Sequence, residues 1–172
     1  TEKDRICALT CADDEGMFTI RAKAFVDASG DANLARLAGA RFSWGDEHGQ
    51  VQAASLPFRL SGVDITKDMS PRAVKRAVDR ARNAGMKHLP RESGFLLTLE
   101  GSQVVCALIP SVMPEGLSAR ELTRMEQELR EQAVSYALAL KRYMPGMEHS
   151  ELVMIGPSIG FRETRKLVGR TQ

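Results

Sequence analysis

Ser118–Tyr143 reads SARELTRMEQELREQAVSYALALKRY, and the fold class is decided in this stretch. Leu122, Met125, Leu129, Tyr136, Leu140 and Tyr143 recur at steps of three, four and seven, which places them on one stripe of an α-helix. Ser118 and Glu121 form the S-x-x-E capping box at its start. Pro145-Gly146 stops it after about Tyr143, because proline cannot continue the hydrogen-bond ladder. An amphipathic helix of this length needs a second layer to cover its apolar face.

The flanking residues supply that layer. Phe95–Glu100 and Gln103–Ile109 flank Gly101-Ser102 as a hairpin. Before it, Ser70 and Pro71 read as N-cap and first residue of another helix. Val74, Ala77, Val78 and Ala81 share one face of that helix, and Asn83–Gly85 ends it. Ala53–Ser61 reads as a strand, preceded by a polar loop at Trp44–Gln50. Nearer the start, Arg5–Cys11 and Met17–Ala22 form two arms around the turn cluster Asp13–Gly16. Lys23–Ala28 is predicted to be a third strand, apolar enough to be buried on both faces. It runs into Ser29-Gly30-Asp31, and Ala32–Ala38 is a short helix closed by Gly39. Beyond the long helix, Glu151–Ile155 is the last strand. The sum is α+β: β-hairpins and a mixed sheet packed with a long amphipathic helix.

Composition limits the function. The 172 residues are one domain's worth, with 43% hydrophobic and 27% charged side chains, an ordinary globular balance. The 24 Lys and Arg against 22 Asp and Glu are too even for a nucleic-acid or membrane-surface protein, and 5% aromatics leave little for base stacking. No apolar run reaches membrane-spanning length. Three cysteines without paired spacing fit a reducing, cytoplasmic setting, with Cys106 as a small core residue. No metal site is expected, since His48, His88 and His149 have no ligand-spaced neighbours. The basic residues Arg72, Lys75, Arg76, Arg80, Arg82 and Lys87 read as a solvated helix face. The opening Thr1-Glu2-Lys3-Asp4-Arg5 has neither Met nor an apolar targeting core, and reads as the start of an excised piece.

Two segments can carry chemistry. In Phe25-Val26-Asp27-Ala28-Ser29-Gly30-Asp31, small residues after a strand let backbone amides approach a phosphate or ribose closely. The plainer alternative is a strand–helix turn with Asp31 as helix cap. In Gly156–Gly169, Arg162 and Arg165 are three apart, on one face if helical, where two guanidinium forks suit a carboxylate or phosphate and Glu163 can fix one of them. The plainer alternative there is a solvated helix start with a Glu-Arg pair.

Together these segments carry a resemblance. AKAFVDASGDANLARLAGA, from Ala22, resembles the point where flavoproteins with a glutathione-reductase-like FAD domain return to the Rossmann sheet, usually written as an apolar strand and A-T-G-D, with Ser29 here in place of Thr. LTRMEQELREQ and then LKRYMPGMEHSELVMIGPSIGFRETRKLVG look like the FAD-dependent oxidoreductases in which a long helix leads through P-G-F-E to G-x-R-E-T-R-R-x-x-G. Met147 stands for the Phe and Lys166 for the last Arg. The G-x-G-x-x-G turn of such proteins is absent from this sequence.

The resemblance implies the central portion of a two-domain flavoprotein. Residues 1–40 would be the hairpin and returning strand of the FAD-binding domain, 41–155 the substrate or cap domain, and 156–172 the return toward the flavin. It further implies FAD as cofactor, with Ala28, Ser29, Gly30 and Asp31 lining it. Arg162, Glu163 and Arg165 would face the flavin or a small substrate, anionic if the arginines are carboxylate clamps. The implied reaction is hydride transfer, with the remaining FAD-binding domain of the same chain as partner; the 172 residues alone would hold an incomplete FAD site and be inactive. The rival reading is a non-catalytic interaction module, with the Met125–Leu129–Tyr136 stripe serving a homodimer or another partner.

Overall fold

The computed structural model describes residues 5–99, 101–162 and 164–169. In chain order its elements are β1 (Ala8–Asp13), β2 (Gly16–Arg21), α1 (Asn33–Leu37), β3 (Phe42–Ser43), β4 (Ala54–Ser55), β5 (Phe58–Ser61), α2 (Pro71–Asn83), β6 (Phe95–Thr98), β7 (Val105–Leu108), β8 (Ser111–Val112), α3 (Ala119–Tyr143), β9 (Glu151–Ile155) and β10 (Lys166–Leu167). These helices and antiparallel sheets make the chain α+β. They fall into two compact units, Thr1–Val51 with Glu163–Gln172, and Gln52–Arg162.

In the second unit β6, β7, β5 and β9 form an antiparallel sheet in that order. Its inward row, Phe58, Leu60, Val105 and Ala107, packs with α2 and α3 into a core that includes Val74, Val78, Tyr136 and Leu140. A smaller cluster joins Ala54 and Leu56 to Met125 and Leu129. The strand expected at Ala53–Ser61 is two strands. Pro57 has no amide to donate, and its carbonyl accepts instead from the Gly156 amide at 2.8 Å. The break lets β4 pair with β8 while β5 joins the larger sheet.

Both long helices start where their caps predict. Ser70 Oγ accepts from the Ala73 amide, with Pro71 in the first turn, and Ser118 Oγ accepts from the Glu121 amide. The second half of the capping box does not close. The Glu121 carboxylate accepts from the Glu115 amide and from Arg124 instead, and its pKa is held down at about 2, chiefly by the Arg124 guanidinium. Of the predicted α3 stripe, Met125, Leu129, Tyr136 and Leu140 are fully buried, while Leu122 is exposed and Tyr143 half-buried at the ends. Tyr136 does more than fill space: its hydroxyl accepts from the Arg91 amide and donates to the Arg91 carbonyl, both at 2.7 Å. Cys106 is on the outward row of the sheet opposite Arg59, half-buried, because β7 turns Val105 and Ala107 to the core. On α2, Lys75 pairs with Asp79 and Glu92, Arg76 pairs with Asp68, and Arg82 donates to the Leu89 and Pro90 carbonyls.

In the first unit β1 and β2 form the expected hairpin, and Asp13 Oδ1 accepts from the Glu15 and Gly16 amides across its turn. The third strand does not form. Residues 23–28 are irregular, and Val26 is 88% exposed. A strand needs a hydrogen-bonded neighbour for its backbone, and none pairs with this segment among the described residues. Further on, β3 pairs antiparallel with β10, setting Leu167 opposite Phe42 and Lys166 opposite Ser43.

Candidate functional site

The Ser29–Asp31 turn of the first unit is built by Asp27 rather than by Asp31. Asp27 Oδ1 accepts from the Ser29 amide at 3.0 Å and the Ser29 hydroxyl at 2.7 Å, while Oδ2 accepts from the Ala35 amide at 2.8 Å. Ser29 Oγ in turn accepts from the Asn33 amide at 3.0 Å. These bonds, the Ser29 hydroxyl first, hold the Asp27 carboxyl below the usual carboxylate range, so it stays ionised at neutral pH. The N-cap position itself is Ala32, without a side-chain cap, so the expectation of Asp31 as the capping residue is corrected. The D-x-S pattern is a sequence signal for such a turn, since a carboxylate commonly bonds the backbone two residues on.

The conformation between these anchors is unusual. Gly30 has φ +77° and Ala32, an L-residue, has φ +51°. Ala28, Ser29 and Gly30 are exposed and Asp31 is half-buried. A Cβ added at Gly30 would meet nothing within 4 Å, so the space over the turn is open. Among the described residues the Gly30, Asp31 and Ala32 amides have no hydrogen-bond acceptor. Three successive amides beside open space can donate to an oxyanion or a hydroxyl oxygen.

Arg165 reaches the same turn from the far end of the chain. Its Nη1 donates to the Asp31 carbonyl at 2.8 Å and to Asn33 Oδ1 at 2.9 Å, and its guanidinium carbon is 5.7 Å from the centroid of the Phe42 ring. The β3–β10 pairing sets this reach, because Arg165 immediately precedes β10 and Phe42 opens β3. Arg165 Nε is buried with no partner among the described residues. Asn33 and Phe42 are site residues that sequence reasoning missed; they become neighbours of Arg165 only through a strand pairing of two residues on each side.

Arg162 lies in the other unit and is exposed. Among the described residues, neither Arg162 nor Arg165 lies in a helix. Gly160 instead bridges to Ser55, with its amide on the Ser55 carbonyl at 2.7 Å. The two arginines therefore do not share a helix face. Glu163 lies outside the described residues. Among those residues no group of three His, Cys, Asp or Glu is gathered closely enough for a metal ion, and no helix is long and apolar enough to cross a membrane.

The model of the family described as FAD dependent oxidoreductase matches residues 1–172, the whole chain. The chain belongs to the FAD-dependent oxidoreductase family. FAD is accordingly the cofactor of the full-length protein, and its chemistry is flavin oxidoreduction. Comparisons with curated proteins and with solved structures give no significant match. The turn fits such a cofactor in chemical kind: amide donors without an acceptor among the described residues, and no side-chain bulk or neighbouring atom where a Cβ at Gly30 would stand.

Proposed function

We propose that this chain supplies part of the FAD site and the substrate-facing part of a flavin oxidoreductase acting on a small anionic substrate. When bound, FAD would supply the hydride acceptor or donor, since the redox chemistry belongs to the cofactor. Ala28, Ser29, Gly30 and Asp31 would line it, their amides donating to its polar groups. Arg165 is a positioning residue in this reading: it holds the Asp31 carbonyl and Asn33, and so fixes where the neighbouring amides point. Arg162, exposed on the second unit, would take the substrate carboxylate, and Glu163 stays a candidate to orient it. Residues 1–51 with 163–172 would then be the FAD-facing part and residues 52–162 the cap.

The observation carrying the proposal is the 2.8 Å bond from Arg165 to the Asp31 carbonyl. It joins two segments 134 residues apart that were singled out separately, each as a ligand-facing element. The α3 stripe that would serve an interaction module is consumed by the chain's own core, which removes the basis of that rival.

The test is Arg165→Lys and Arg165→Gln in the full-length enzyme, with the FAD dissociation constant and the substrate KM measured separately. Lysine keeps the charge and can still donate from its one nitrogen to the Asp31 carbonyl and Asn33, but it loses the planar guanidinium that lies over the Phe42 ring. The expectation is FAD binding weakened about 10- to 100-fold in the Gln variant, less in the Lys variant, with KM changed less than about threefold. Unchanged FAD affinity in both variants, with KM raised instead, would assign Arg165 to the substrate and refute the positioning role.

A further inference from the structure

The outward face of α3 carries a stripe of its own. Glu131, Val134, Leu138 and Lys141 fall at steps of three, four and three, hence on one side of the helix, opposite Leu129, Tyr136 and Leu140. Val134 and Leu138 are 45% and 43% exposed, in the middle of a helix whose other solvent-facing positions are mostly polar. Beside them a groove of about 220 Å³, lined among others by Leu60, Ala137 and Leu152, separates α3 from β9.

The order of the stripe is symmetric about position 136. Val134 and Leu138 are equidistant from it, as are Glu131 and Lys141. If a second helix with this sequence lies antiparallel on the first, Val134 meets the partner's Leu138 and Glu131 meets the partner's Lys141, each contact occurring twice. A surface with an apolar centre and opposite charges at its two ends is self-complementary under a two-fold axis. Lys141 already holds Glu151 at 2.6 Å on the β9 side and Glu131 lies 3.4 Å from His88 Nδ1, so a partner's charges would join these exposed pairs.

We propose that this face of α3 binds a second copy of the chain, helix against antiparallel helix, with Leu138 of each copy covering the groove beside the other's Val134. Two other surfaces fit a second copy less well. The outward row of the four-stranded sheet, with Phe95, Leu97, Leu108 and Met154, has Arg59 at its middle, and a two-fold there would set guanidinium against guanidinium. The free edge of β9 is broken at Val153, where the ladder steps from Arg59↔Met154 to Leu60↔Leu152, and a bulge of this kind blunts strand addition.

The stripe spans about 15 Å of helix, which is short for a stable interface of ~800 Å² per partner. The dimer is therefore expected to be weak, with a dissociation constant on the order of 10–100 μM. Sedimentation velocity across about 1–500 μM should show the monomer–dimer shift. Leu138→Lys should abolish it, Glu131→Lys should weaken it at least about tenfold, and Glu131→Lys with Lys141→Glu and Glu151→Lys together should restore it, since the stripe's charges and the internal 141–151 pair are then swapped on both copies. Leu97→Lys, on the outward row of the sheet, should leave it unchanged. Thermal melts check that each exposed-site variant is folded. A wild-type protein that stays monomeric throughout overturns the proposal. So does a dimer that survives Leu138→Lys, one lost with Leu97→Lys, or charge variants that show no mutual rescue.

Discussion

Tyr136→Phe isolates one long-range tie from the packing that surrounds it. The ring is fully buried in the main core, and phenylalanine keeps its volume, so no cavity opens. What is lost is the hydroxyl, which both accepts from the Arg91 amide and donates to the Arg91 carbonyl at 2.7 Å, across 45 residues of sequence. Each bond contributes about 0.5–1.5 kcal/mol net, and Arg91 is exposed enough for water to replace part of it. The expected loss is about 1–2 kcal/mol, or roughly 2–8 °C in Tm for a chain of this size. The same buried phenol makes an alkaline prediction. Burial pushes the phenol from its ordinary value near 10 up to about 12. The folded state therefore favours the protonated form, a contribution complete below pH 10 and lost as pH rises through about 12. Thermal melts at pH 7 and across pH 9–12, with amide exchange at residues 88–92, provide the assay. A Phe variant as stable as the parent, with unchanged exchange and the same alkaline decline, would refute this account.

Leu129→Ala, in the small cluster with Ala54, Leu56 and Met125, should cost about 2–5 kcal/mol, read from the denaturant midpoint; a midpoint shift under ~0.5 kcal/mol would mean the site collapses freely. Gly62→Ala should destabilise more than an exposed glycine would suggest. Gly62 has φ +67°, and a Cβ there would stand 2.6 Å from the His149 carbonyl oxygen, so calorimetry should record a lower Tm. In the full-length enzyme Arg162→Lys should reduce kcat/KM by about 10- to 100-fold with FAD content unchanged, and steady-state kinetics showing less than about threefold would make Arg162 a surface residue. Residues 1–172 alone, lacking G-x-G-x-x-G, should lose added FAD on desalting, which flavin absorbance would reveal.

Local order was legible wherever a few adjacent residues decide it. Ser70-Pro71 and Ser118 cap their helices by bonds three residues long, and β9 has its predicted bounds because Glu151–Ile155 sits between a helix stop and Gly156. The α3 stripe was legible because burial follows the 3.6-residue period. Lys23–Ala28 reads as a buried strand yet is irregular, since a strand's state is set by neighbours that its own residues do not contain. At the candidate site, the small residues of Ser29-Gly30-Asp31 already marked the turn. Its construction by Asp27 was half-visible in the D-x-S spacing, and its brace by Arg165 was not visible at all. The paired arginines would share one face only in a helix; among the described residues neither lies in one, and the Gly160–Ser55 bridge and the β3–β10 pairing flank them instead. Sequence by itself thus determined the capped helices, the hairpins and the apolar faces, all consequences of bonds and periods within a few residues. Only tertiary structure decided which strands found partners and which guanidinium met which carbonyl, because those contacts depend on closing loops of tens to more than a hundred residues.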